Sequence, residues 1–283
     1  MDSLQFFKTE KISEHLTCIT GITGELMFLA EGQDRAALID TGIGLGDLGS
    51  LVKSLTGKPL VVILTHGHLD HAGNLESFDD VYMSAADQKI YQAHQDKDLQ
   101  KGYVKMMTGN KFALIKDSDY AGPFKGHFKD LQIGDLFDLG GLVLEIQPGA
   151  GHTPGSIAIL FREERTLLLG DACNYFTFLW DENSSSVTEY REMLLGLKDK
   201  LAGRFDRTLV SHGSPVAPLE MIESVIAVCD DILAGRTDDI PFMFMGKPDP
   251  NAMIAKAMTF EGGAPHRVDG GIGNVVYNKA KLK

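Results

Sequence analysis

"ILTHGHLDHAGN", residues 63–74, places three histidines and an aspartate, His66, His68, Asp70 and His71, within six positions directly after an apolar run. A hydrated surface turn and a metal-binding loop both fit that crowding. Position argues for the loop. The preceding "PLVVIL", residues 59–64, reads as a buried strand, and open α/β sheets place functional groups in the loops at strand ends. In an extended segment residues 66 and 68 point the same way and can grip one ion together, while Asp70 and His71 follow as the chain turns toward a second. Imidazole nitrogen and carboxylate oxygen suit zinc and related divalent ions.

One loop cannot complete two such sites, so further His or Asp residues are expected at the ends of later strands. Three are there. His152 lies in "PGAGHTPGS" after "LVLEIQ" (142–147), Asp171 in "LLLGDAC" after "RTLLLG" (165–170), and His212 in "LVSHGS" after "RTLV". Five of the chain's nine histidines thus belong to one pattern. A lone strand-end histidine is more often a hydrogen-bonded structural residue, but the joint pattern makes coincidence improbable.

Around these loops the elements are legible. Strands are expected at 16–21, 25–32 and 35–40 as an N-terminal meander ending in glycine turns, then a helix over 48–55 stopping at Gly57. A strand at 156–161 and helices near 187–201 and 218–235 follow, and "GNVVYN" reads as a last strand. Residues 72–151, 80 in all, separate His71 from His152. The excess falls in a polar and loop-rich stretch at about 84–130, which reads as an insertion, either a lid over a cleft or a dimer contact. Its aromatics and methionines, Tyr91, Tyr103, Met106, Met107, Phe112, Phe124 and Phe128 among them, are expected to pack rather than to bind.

Composition narrows the function. The 283 residues are 43% hydrophobic, enough for a sizeable core. A formal charge of -12 without a dense basic run disfavours nucleic-acid partners. Cys18, Cys173 and Cys229 are too few and scattered for a disulfide framework. No segment approaches the roughly 18 apolar residues of a membrane span, and the first residues do not resemble a signal peptide. A cytoplasmic location with no membrane partner and room for a homodimer is the expectation.

The motif His-x-His-x-Asp-His at 66–71, followed in order by His152, Asp171 and His212, resembles that of the metallo-β-lactamase-fold hydrolases, as do "LIDTG" at 38–42 and "GHTPGS" at 151–156. The resemblance covers most of the chain and implies a single α/β domain over 1–283, an αβ/βα sandwich of two mixed β-sheets with outer helices. It implies two divalent metal ions, zinc by ligand type with iron or manganese as alternatives. His66, His68 and His152 would hold the first, Asp70, His71 and His212 the second, and Asp171 both. Asp40 would brace the loop, either through its amides or through a ligand histidine.

True β-lactamases of this fold lack the aspartate matching Asp171, so the chain looks closer to lactonases and thioesterases. The implied activity is that of an enzyme with a small-molecule substrate, in which a metal-activated hydroxide attacks an ester, lactone or thioester carbonyl, with Asp70 orienting it and passing on its proton. Tyr175, just past Asp171, is a candidate for oxyanion support. The alternatives are a phosphodiesterase of the same fold and a mononuclear-iron persulfide dioxygenase.

Overall fold

The computed structural model describes residues 4–259 and 266–283. They fall into two compact units, Met1–Ile146 with Phe161–Glu164, and Gln147–Leu160 with Arg165–Lys283.

The first unit is built on a seven-stranded sheet whose strands lie in chain order: β1 (Phe7–Lys11), β2 (Leu16–Gly21), β3 (Leu26–Glu31), β4 (Ala36–Ile39), β5 (Leu60–Ile63), β6 (Val81–Met83) and β7 (Lys129–Asp130). β1 to β4 pair antiparallel, the expected meander with one strand added before it. That strand, "FKTEK", escapes a reading by hydropathy because it is an edge strand with almost every side chain in water. From β4 onward the pairing is parallel. A parallel neighbour needs a crossover, and helix α1 (Leu48–Leu55) supplies it between β4 and β5. Asp47 caps α1 by accepting from the Ser50 amide at 2.9 Å. Gly57 does not end it. The cap is Thr56, whose backbone is extended.

Leu38, Val62, Val81 and Met83 of the sheet pack with Leu48 and Val52 of α1 in one core. Past β6 come helices α2 (Gln88–Ala93) and α3 (Lys97–Thr108). Val104 of α3 packs with Ile43, Leu45 and Leu69 in a second cluster. The 84–130 segment therefore puts side chains into the core of this unit. Tyr91, Phe124 and Phe128 join the first cluster, Tyr103 and Phe112 the second, while Met106 and Met107 stay exposed. Strand β8 (Leu136–Asp138) pairs antiparallel with β9 (Val143–Pro148).

In the second unit, β10 (Ile157–Phe161), β11 (Thr166–Gly170), β13 (Arg207–Val210) and β14 (Val216–Ala217) lie in the order β14-β13-β11-β10. Helix α4 (Val187–Lys200) makes the crossover between the parallel pair β11 and β13. Its Ser186 and Glu189 form a reciprocal capping box. Helix α5 (Met221–Leu233) buries Met221, Ile222, Val225 and Ile226 against Leu167, Leu169, Tyr190 and Leu194.

A further sheet, ordered β12-β19-β16-β15, joins β12 (Thr177–Leu179), β15 (Ile240–Phe244), β16 (Lys247–Ile254) and β19 (Val275–Asn278). The hairpin of β15 and β16 is hidden in the sequence by Pro241, Pro248 and Pro250. β15 is an edge strand, where a missing N–H is tolerated. A short pair, β17 (Met258–Thr259) with β18 (His266–Arg267), completes the unit.

All three cysteines are buried, and burial pushes the thiols up, to about 11 for Cys18 and about 12 for Cys229. They behave as small core residues. No helix among the described residues is long and apolar enough to cross a membrane.

Candidate metal centre

The first unit carries the quoted motif, and its shape comes from the strand end before it. Asp40 follows β4 with φ +62, a left-handed conformation that aspartate tolerates better than most residues. Its carboxylate is buried and accepts three hydrogen bonds: from the Thr65 amide at 2.7 Å, the Thr65 hydroxyl at 2.7 Å and His71 Nδ1 at 2.8 Å. A carboxylate only accepts, so His71 carries its proton on Nδ1 and presents a lone pair at Nε2. Thr65 has spent its hydroxyl proton on Asp40, so at 3.1 Å its oxygen accepts from His66 Nδ1. One aspartate thereby sets the tautomers of two histidines. Asp40 is at once a loop-amide acceptor and a histidine brace.

The loop then turns, with the amides of His71 and Ala72 both donating to His68 O at 3.1 Å. That turn brings the rings together, His68 edge-on to His66 and His71 tilted against it. His66 lies 4.8 Å from His68 and 4.1 Å from His71 between centroids. His71 Nε2 faces Asp70 Oδ1 at 3.8 Å. The loop is laced to residues 41–44 through Thr41 N to His71 O and Gly73 N to Gly42 O, both 2.7 Å. Gly73 has no room for a side chain, because a Cβ would lie 2.3 Å from Gly44 N. Beneath residues 41–44 sits the buried Glu25, which accepts from Ile43 N at 3.0 Å and from the Thr23 hydroxyl. Burial pushes its carboxyl pKa up.

Three further grips come from the 84–130 segment, where spacing gave no signal. Asp87 accepts from Gly67 N at 2.8 Å, and a Cβ on Gly67 would lie 2.7 Å from Asp87 O. His94 accepts from Leu69 N at 3.3 Å and stacks on His68, centroids 4.6 Å apart and planes 15° off parallel. Tyr103 of α3 donates to Asp70 Oδ2 at 2.9 Å. These partners are 20 to 33 residues away in the chain. Nothing short of the fold reveals them.

The second unit holds the other three candidates, with His152 and His212 both near Asp171. His152 Nδ1 donates to the Phe178 carbonyl at 2.8 Å, and a carbonyl can only accept, so Nε2 again holds the lone pair. That Nε2 lies 3.9 Å from Asp171 Oδ2, and His212 Nε2 lies 3.3 Å from the same oxygen. Asn174 donates to Asp171 Oδ1 at 3.3 Å. Tyr190 of α4 fixes the loop by donating to Ala172 O at 2.8 Å, while its ring fills the place where Gly151 would carry a Cβ. Ser184 donates to His152 O at 3.0 Å. Tyr175 turns its hydroxyl to Val216 O at 3.4 Å and packs over Gly213.

These donor sets fit divalent cations. Two atoms that each lie about 2.1 Å from one zinc ion stand about 3–4 Å apart. The three His–Asp separations, 3.3, 3.8 and 3.9 Å, fall in that range, and the last two are too long for hydrogen bonds. With Nδ1 of His71 and of His152 protonated, an imidazole lone pair faces a carboxylate oxygen in each case. Two acceptors facing each other are satisfied by a cation.

A model of the family described as the metallo-beta-lactamase superfamily matches residues 21–204. The chain belongs to that superfamily. Curated members similar to it are distant in sequence. The acyl-coenzyme A thioesterase MBLAC2 of Gallus gallus is 24% identical over 214 residues, 66% of this chain and 71% of that protein. The hydroxyacylglutathione hydrolase GloC of Haemophilus influenzae is 25% identical over 207 residues, 69% of this chain and 88% of that one. Among solved structures, a metallo-beta-lactamase from Pontibacter korlensis matches with a TM-score of 0.59 at 16% identity, over 80% of this chain and 99% of that one.

At that identity the likeness shows fold alone, and the fold is the αβ/βα metallo-β-lactamase architecture that the motif implied. This superfamily is one of metal-binding hydrolases, and the His and Asp groupings described above fit it. The matched span ends before β15 and the 240–254 hairpin.

Proposed function

We propose that the protein is a dinuclear metal-dependent hydrolase of small acyl esters and thioesters, with His66, His68 and His152 holding one ion, Asp70, His71 and His212 the other, and Asp171 shared. The observation that carries this reading is the set of Nε2 lone pairs, fixed by Asp40 and by Phe178 O, that face Asp70 and Asp171. The donor set is nitrogen and oxygen only, which favours zinc and leaves iron or manganese as alternatives.

Bound divalent ions would lower the pKa of water from 15.7 toward about 7 and polarise the scissile carbonyl. The chain's own residues do the rest. Asp70 takes the proton from the attacking water as the new C–O bond forms, and returns it to the leaving sulfur or oxygen as the old bond breaks. Tyr103, donating to Asp70 Oδ2, holds the carboxylate so that Oδ1 keeps its place beside His71. Tyr175, bonded to Val216 O, would have to leave that carbonyl to support an oxyanion. The acyl thioester reading draws on the thioesterase MBLAC2 as a relative, and the presence of Asp171 weighs against β-lactams.

The test is a panel assay with metal-reconstituted protein: acyl-coenzyme A thioesters, aryl esters, lactones, aryl phosphodiesters and β-lactams. Thioesters or esters are expected to turn over, with loss of activity on chelation and recovery on adding zinc. Turnover of phosphodiesters alone would overturn the acyl reading. One iron per chain with oxygen uptake on thiol persulfides would overturn the hydrolase.

A further inference from the structure

Strand β12 and the residues flanking it carry large apolar side chains on both faces. Thr177 and Leu179 point inward and are buried, Leu179 in the core shared with α4 and α5. By the two-residue alternation of a strand, Phe176, Phe178 and Trp180 share the opposite face. A sheet face turned toward water normally carries polar residues. Here it carries three large aromatics, each partly exposed.

The edge strand β15 extends the same surface. Phe242 lies 5.4 Å from Phe178 and 5.8 Å from Trp180 between ring centroids, and Phe244 lies 5.8 Å from Trp180. Phe176 meets Phe178 edge-on at 5.3 Å. Five rings thus form one unbroken wall. Its inner end is at the candidate metal ligand His152, whose ring is 6.5 Å from that of Phe178 and whose Nδ1 is held by the carbonyl of the same residue. The contacting groups are phenyl and indole rings, which suit a hydrocarbon or aryl group. The β12 rings lie within the span matched by the superfamily model and the β15 rings beyond it.

We infer that this wall is the acyl-binding surface of the enzyme. It seats the apolar tail of a carboxylic ester or thioester whose carbonyl lies at His152, so that the protein selects medium-length alkanoyl or arylalkanoyl groups over acetyl. The inference rests on the hydrolase reading for its reaction, but the binding itself does not need catalysis.

Two measurements separate the two claims. Trp180 is the chain's single tryptophan, so intrinsic emission reports on the wall directly. Titrating the metal-loaded protein with sodium decanoate, which has no bond to hydrolyse, is expected to shift Trp180 emission to the blue and saturate. Phe176→Ala/Phe242→Ala is expected to weaken the half-saturation point at least tenfold. Met243→Ala, at an exposed residue outside the ring contacts, leaves it unchanged.

In turnover, kcat/KM for acyl-coenzyme A thioesters from acetyl to hexanoyl is expected to rise about fourfold per methylene. The rise should lie mainly in KM, and the slope should fall below about twofold in the double variant. Saturable emission without hydrolysis of any ester would keep the wall and remove the reaction. Hydrolysis with a flat chain-length profile and unmoved Trp180 emission would remove the wall and keep the reaction.

Discussion

Asp40→Asn tests the tautomer network in isolation. Asparagine tolerates the left-handed backbone at residue 40, whereas alanine would add about 1–2 kcal/mol of strain at φ +62. With its carbonyl oxygen kept on the Thr65 amide, the new NH2 group faces the Thr65 hydroxyl and His71 Nδ1, which are both donors in the native protein. Donor then meets donor. The relief is for His71 to move its proton to Nε2, the atom needed for a metal.

Two hydrogen bonds to a charged acceptor are lost, each worth about 1.5–3 kcal/mol. Much of that is recovered by the flipped tautomer, so the metal-free variant should unfold about 2–3 kcal/mol more easily. Metal affinity should fall about 10- to 100-fold, the usual effect of removing a group that orients a ligand histidine. The assay is zinc competition against a chromophoric chelator, with long-range 1H–15N correlation to locate the proton of His71 in the metal-free protein. Wild-type zinc affinity together with an unchanged Nδ1–H tautomer would refute the reasoning.

Tyr103→Phe removes a phenol that holds Asp70 while keeping the ring packed among Leu99, Val104 and Phe112. Steady-state kinetics should show kcat lower by about tenfold with KM within about twofold, the pattern of a positioning residue, and no change in kcat would remove Tyr103 from the account. Asp239 is held low, at about 2, chiefly by Lys279 and further by Thr237 and Tyr277. A carboxylate depressed below its ordinary value of 3.8 stabilises the fold above pH about 4, and that contribution disappears as pH falls toward 2. Urea unfolding of Asp239→Asn should therefore differ from wild type at pH 5 and converge with it near pH 2. A difference that persists undiminished at pH 2 would contradict the assignment.

The loop at 63–74 was legible because its information is local. Ligand types, spacing and the strand before them are all contained in a dozen residues, and the later partners each mark a strand end with the same His or Asp beside glycine. The first-unit meander and the helices at 48–55 and 187–200 were legible for a similar reason, since burial on one face imprints a period on the sequence. What escaped reading is long-range or edge-exposed. Asp87, His94 and Tyr103 reach the loop from 20 or more residues away and look like ordinary helix residues. Strand β1 is too solvated, and β15 and β16 too rich in proline, to show the alternation that marks a strand. The aromatic wall combines both difficulties, because its rings come from strands more than 60 residues apart.

Metal stoichiometry by inductively coupled plasma mass spectrometry, on protein equilibrated with excess zinc and then desalted, tests the central claim most directly. Two ions per chain are expected in the wild type, and fewer than one in Asp171→Ala, which removes the shared ligand. One ion or none in the wild type, or two ions retained in the variant, would contradict a dinuclear centre organised around Asp171.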